Sequence, residues 1–456
     1  MTMLQKPQSN HVDQNLRLYL LEKTPIGRFY KRYFKRYRII RFLAILAWKW
    51  FVPLGVRLYS RLSRKEFSRL PIVLLADAVG EMKIVVPSQK VVTPAVAVYP
   101  KEKTASCPPP HDAFFFPALY LGLLRDHVVR GGSNLLIGRC AVVHHDLFRI
   151  SYDYTSEELH GRMVIKPKSR EVFLASGTEE DIVEITEAAS FTDAVASNYA
   201  HFITEVLPRL HMFVRYAPAH IPLIIDAALH ANFLTAIRIV AGPDRPLMPV
   251  VIGQAIRVRK LWVMSVCGYI PFERRPGTTR WQGHSQGVFS PMALQSMRDA
   301  VKSLLLISSA QTVERKIFIR RNSGYRNISN SLEIENSLVA CGFEVVEPEK
   351  LSFEQQVSLF SSASVVVGAT GAALANIVFC QPECRLVILH GEHKCMTYYY
   401  WQNIARACGG EIICVLGKIA GMYGRSIHGD FYVAPKDVLA ALQSPVVVER
   451  TLVNAQ

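Results

Sequence analysis

The stretch from Lys316 to His390 constrains the fold most, because strand-like and helix-like runs alternate through it. Lys316–Arg321 is a short β-rich run. Asn330-Ser-Leu-Glu333 then has the spacing of a capping box, opening a helix that carries Leu332, Leu338 and Val339 and stops at Gly342. Phe343–Glu347 reads as a second strand. Ser352-Phe-Glu-Gln355 reads as a second capping box, before a helix with Val357, Leu359 and Phe360. Ser364–Gly368 is apolar without alternation, as a strand buried on both faces must be. A turn of small residues, Gly368 to Asn376, leads to another helix, and Arg385–Leu389 is a fourth strand.

This order predicts a parallel, doubly wound α/β sheet, which binds ligands at the carboxyl ends of its strands. Two features sit at those ends. Arg320, Arg321 and Arg326 form a basic cluster, and arginine offers bidentate hydrogen bonds to phosphate. The turn at Thr370-Gly371-Ala372 presents small residues, where phosphate can approach backbone N–H groups at a helix N-terminus. The plainer reading is a tight strand-to-helix turn beside solvated arginines.

A chain of 456 residues has room for two or three domains. Its formal net charge of +16 points to an anionic partner. Much of that charge lies between Arg28 and Arg69, where thirteen basic residues face Glu66 alone, interleaved with aromatic residues such as Tyr33, Phe34, Trp48 and Trp50. Arg41, Lys49, Pro53 and Arg57 break its apolar centre, so the segment does not read as a membrane span or a signal peptide. It reads as a basic amphipathic arm on an anionic membrane surface, against the alternative of a basic helix pair packed on the body. No zinc-finger, helix-turn-helix or RNA-recognition signature accompanies the charge, so no nucleic-acid partner is expected.

The nine cysteines suggest free thiols in a reducing compartment. Cys380, Cys384, His390, His393 and Cys395 cluster locally, but the histidines follow too closely for a finger-type site, and no metal is expected. Between Pro71 and Val172 the chain is β-rich, with no readable topology.

Ser197-Asn-Tyr-Ala-His-Phe-Ile-Thr-Glu-Val-Leu-Pro-Arg209-Leu210 is the second informative stretch. On a helix His201 and Glu205 share a face, with Asn198 a turn before them. Imidazole and carboxylate one turn apart suit a base and its orienting partner, although such pairs also serve as surface ion pairs.

Asn198-Tyr-Ala-His201-Phe…Glu205-Val-Leu-Pro-Arg209-Leu210 resembles the N-x-x-H-W/F…E/D-x-L-P-R-L segment of glycosyltransferase family 61, whose bacterial members include capsular polysaccharide biosynthesis proteins. Ile319-Arg-Arg321…Arg326-Asn-Ile-Ser-Asn330, Leu351-Ser-Phe-Glu-Gln355 and Val367-Gly-Ala-Thr-Gly371-Ala-Ala-Leu-Ala-Asn376 resemble its later motifs in the same order. The departures are Thr370 in place of a histidine, Ala373 in place of a glycine, Phe202 in place of tryptophan, and Ser331 in place of a glutamate.

The resemblance implies a GT-B-like fold, two Rossmann-like domains facing a cleft. The expected division is the arm at 1–70, an acceptor-side domain at 71–265, a linker at 266–290 and a nucleotide-sugar domain at 291–456. It implies an inverting glycosyltransferase that moves a sugar from a nucleotide donor, a co-substrate rather than a cofactor, to a polysaccharide or lipid-linked glycan in cell-surface synthesis. A cytoplasmic protein, peripheral on the inner face of the plasma membrane, fits that role. His201 and Glu205 would be the base and its partner. Arg320, Arg321, Arg326, Thr370, Gly371, Ala372 and Asn376 would hold the donor diphosphate. Asn198 and Arg209 would support the site, Arg209 through a salt bridge with a partner such as Glu205. Thr370 keeps open a catalytically degenerate scaffold, and the fold keeps open a nucleotide-sugar epimerase.

Overall fold

The computed structural model describes residues 67–93, 95–106, 113–159, 163–175, 182–271, 273–275, 283–307, 314–393, 397–419 and 429–444. The basic arm lies outside them, apart from residues 67–70, which begin the strand Phe67–Leu74. Among the described residues no helix is long and apolar enough to cross a membrane.

The fold is mixed α/β, built on two large sheets. In the C-terminal sheet, Glu344–Val346, Arg315–Ile319, Ala363–Ala369, Arg385–Gly391 and Ile412–Ile419 lie side by side in that order, all parallel. Chain order and spatial order diverge between Arg315–Ile319 and Ala363–Ala369, the switch point at which such sheets bind ligands. The expected strands occur, and Ser352 and Gln355 exchange both hydrogen bonds of a capping box. Asn330 does not cap its helix. Its side chain clips Val433 instead, through Oδ1 to the Val433 N–H and Nδ2 to the Val433 carbonyl. The core face of that helix also differs from expectation. Ile334, Glu335 and Leu338 are buried, whereas Leu332 and Val339 are exposed.

The N-terminal sheet has a second parallel core. Leu247–Val250, Leu223–Asp226, Val183–Ser190 and Ala255–Met264 are successive parallel neighbours. Its own switch point lies between Val183–Ser190 and Ala255–Met264. The β-rich segment before it extends the same sheet, with Leu119–Arg130 antiparallel to Ala255–Met264. Sequence reading passes over Val183–Ser190 because Glu184 and Glu187 interrupt it. They pair across the strand with Arg259 and Lys260.

The two sheets are joined. A single apolar cluster runs through both, from Phe202 and Leu210 to Phe353, Phe360 and Trp401. The strand Ala97–Tyr99, inside the span expected to form the N-terminal domain, pairs in parallel with Ile412–Ile419 of the C-terminal sheet. In the expected linker, Gly268–Tyr269 pairs with Val288–Phe289, and Glu273–Arg274 pairs with Asp153–Tyr154.

Candidate active site

The helical segment Tyr199–Tyr216 carries the first set of candidates. Asn198 caps it, its Oδ1 accepting from the Ala200 N–H at 3.0 Å. The segment is not a regular α-helix. Phe202–Val206 is a π-turn, with the Leu207 N–H donating to the Phe202 carbonyl. Pro208 explains the widening: it has no N–H to offer the Thr204 carbonyl, and its ring crowds that oxygen. Gly268 packs against the same carbonyl, so closely that a Cβ there would lie 2.4 Å from it.

The turn brings His201 and Glu205 together, with Nδ1 hydrogen-bonded to Oε2. The other carboxylate oxygen, Oε1, accepts from the Ile270 N–H at 2.6 Å. Glu205 is thus held at both oxygens, and His201 keeps Nε2 as the nitrogen not engaged by it. Burial draws the His201 ring below the usual histidine value, but Glu205 and Asp193 outweigh it and hold the ring above that value.

Asp193 follows the strand Val183–Ser190 at the switch point, and nothing in the sequence motifs marked it. Burial first, then the nearby Glu205 charge, push its carboxyl up. Its N–H donates to Asp226, whose carboxyl burial raises to about 6. Asp193, Glu205, Arg209, His145 and Tyr269 line one pocket. Arg209 makes no ion pair with Glu205, contrary to expectation. Its Nη2 donates to the Thr192 carbonyl at 3.4 Å, its guanidinium lies over Phe191, and its buried Nε has no partner.

The second set lies at the switch point of the C-terminal sheet. Arg321 lies against Gly371: a Cβ on Gly371 would fall 1.8 Å from Nη1. Its Nε and Nη2 donate to the Tyr325 carbonyl at 3.2 and 3.0 Å. Arg326 stacks on the Tyr325 ring, with its guanidinium 5.2 Å from the centroid. It is held at φ +58°, a costly backbone for a non-glycine residue, and its Nε is buried without a partner. Burial, then Arg326, draw the Arg321 guanidinium down to about 10, and burial lowers Arg326 as well. Among the described residues no carboxylate forms a salt bridge with either arginine, so two partly buried cations face each other at a strand end.

Arg320 requires a correction. Its guanidinium turns the other way, onto Glu335 at 2.6 Å and Glu347 at 3.1 Å, so it is committed to the fold. Thr370 is buried, and its N–H donates to the Leu389 carbonyl at 3.0 Å. Gly371 precedes a 3₁₀ turn, Ala372–Phe379, rather than the expected α-helix. Ala372 is half-buried at its start. Asn376 is fully buried. Its Oδ1 accepts from the Tyr199 hydroxyl at 2.6 Å, and its Nδ2 donates to Gln356 at 2.9 Å. It therefore orients the turn and ties it to the His201 helix.

Tyr400 links the two sets. Burial pushes its hydroxyl up, and the charges of both Glu205 and Arg326 act on it. Tyr398 to Trp401 are all buried and pack in the main apolar cluster. Cys380 and Cys384 are buried in the main core, and among the described residues no group of three or more metal-ligating side chains occurs.

Carboxylate-held imidazole on one side and, on the other, guanidinium groups with no carboxylate salt bridge among the described residues suit a reaction that removes a proton and stabilises a leaving anion. No curated protein matches the chain. Residues 199–387, from the His201 helix to the strand Arg385–Gly391, match the family model described as Glycosyltransferase 61, which supports that family and, with it, glycosyl transfer as the chemistry of this chain.

Proposed function

We propose that the protein transfers a sugar from a nucleotide donor to a glycan hydroxyl with inversion, in a GT-B-like arrangement with one sheet serving each substrate. The carrying observation is the pair Arg321 and Arg326, partly buried at a switch point with no carboxylate salt bridge among the described residues. A bound diphosphate would neutralise both and accept their N–H groups. Gly371, having no side chain, lets the Arg321 guanidinium lie against the turn that would cradle the diphosphate. As the anomeric bond breaks, negative charge grows on the departing diphosphate, and the guanidinium groups stabilise it.

His201 is the base in this reading. Glu205 is occupied at both oxygens, whereas Nε2 of His201 can take the acceptor proton as the new glycosidic bond forms. Glu205 then stabilises the imidazolium. The pocket of Asp193, Arg209 and Tyr269 receives the acceptor. A role in cell-surface polysaccharide synthesis, with the basic arm on the membrane, is the physiological setting we infer from charge and resemblance. The test is a transfer assay with a panel of nucleotide sugars and glycan extracts. Turnover by the parent, lost in His201→Ala, supports the reading. Equal turnover in both overturns the assignment of the base.

A further inference from the structure

His390 is the penultimate residue of the strand Arg385–Gly391, in register with Leu416 and next to the Leu389 that accepts from Thr370. In the sequence it belongs to the local cluster of Cys380, Cys384, His393 and Cys395. Its Nδ1 lies 2.7 Å from the Gly391 carbonyl oxygen. A carbonyl can only accept, so Nδ1 carries the proton and Nε2 presents a lone pair. Burial draws the ring down to about 4, which keeps it neutral near pH 7. Nε2 is buried and has no hydrogen-bond partner. Arg326 is near enough for its charge to act on the ring, and its own buried Nε–H is also unpartnered.

A buried acceptor without a donor and a buried donor without an acceptor are each costly. A ligand that brings an acceptor to Arg326 and a donor to His390 resolves both. An ionised phosphate oxygen would serve Arg326 but would repel the Nε2 lone pair. A hydroxyl can donate to Nε2. In a nucleotide sugar, hydroxyls flank the diphosphate on either side, on the ribose and on the transferred sugar.

Building on the nucleotide-sugar reading, we propose that His390 is a donor-binding residue whose Nε2 accepts a hydrogen bond from a hydroxyl next to the diphosphate held by Arg326.

The test is calorimetric titration of the parent, His390→Phe and His390→Gln with UDP, GDP, ADP and CDP and their glucose conjugates. Phenylalanine keeps the ring volume without the acceptor, and glutamine restores an acceptor. Thermal melts of each protein check folding, and His390→Leu, which also lacks the acceptor, carries the test if His390→Phe does not fold. Affinity is expected to fall about tenfold in His390→Phe and to recover in part in His390→Gln. A loss already seen with the diphosphate alone places the hydroxyl on the ribose. A loss seen only with the sugar conjugate places it on the transferred sugar. Parent-like affinity of His390→Phe for both ligands overturns the assignment and means that Nε2 meets only water. Failure of every ligand to bind the parent instead overturns the nucleotide-sugar reading, and this inference with it.

Discussion

The Arg321 guanidinium rests on the α-carbon of Gly371, leaving no space for a side chain between the strand end and the turn: a Cβ would meet Nη1 at 1.8 Å. Gly371 has an extended φ of 177°, so glycine is required here for room rather than for backbone freedom.

Gly371→Ala should therefore displace Arg321 without unfolding the chain. Diphosphate affinity should fall at least tenfold, with a stability cost of about 1–3 kcal/mol from overpacking. Titration and thermal melts on the same protein separate the two effects. Unchanged affinity would detach Gly371 from the donor site.

Arg320 and Arg321 should behave oppositely. Arg320 is bound to Glu335 and Glu347, and Glu335 is buried. Arg320→Ala should lower the melting temperature, leaving an unpaired carboxylate, and should keep nucleotide affinity. Arg321→Ala should lose affinity with little change in melting. A reversed pattern would assign the structural role to Arg321 and the nucleotide contact to Arg320.

The His201–Glu205 pair sets the pH dependence. The base works when neutral, so the rate should rise with pH along a limb centred above the usual histidine value of 6.5. Glu205→Gln removes the charge that holds the ring up, and its limb should move to lower pH while kcat drops about a hundredfold. Stability runs the other way. The folded ring binds its proton more tightly than the unfolded one. The pair's contribution is thus complete below about pH 6.5 and fades as pH rises through the higher folded value. Melts of parent and Glu205→Gln across pH 5–9 check the sign.

Tyr199 and Asn376 tie the two candidate segments together through one hydrogen bond of 2.6 Å in a buried setting. Tyr199→Phe leaves the Asn376 oxygen unmet and should cost about 1–2 kcal/mol. Denaturant unfolding measures it. If the bond also orients the turn, KM for the donor should rise with kcat nearly unchanged.

The C-terminal sheet was legible because its strands are apolar on both faces and its helices begin at polar caps, as at Ser352. The His201–Glu205 contact followed from spacing alone, since residues four apart share a helix face. Neighbouring arginines were not separable. Arg320 and Arg321 point to opposite sides, and only the fold shows that Glu335 and Glu347 lie on one of them. The π-turn left a signal in Pro208, whose missing N–H disturbs the turn before it. Asp193 left none, because its strand is broken up by Glu184 and Glu187, whose partners sit on a distant stretch of chain. Arg209 looked like an ion-pair residue, yet its guanidinium rests on Phe191 and the Thr192 carbonyl.

In the proposed reaction Arg321 and Arg326 together hold the donor diphosphate. Calorimetric titration of the parent and of the Arg321→Ala, Arg326→Ala double variant with a panel of nucleoside diphosphates tests it most directly. Saturable binding of one diphosphate to the parent, abolished in the variant, is the expected result. Binding of equal strength in both proteins, or none to the parent, would contradict it.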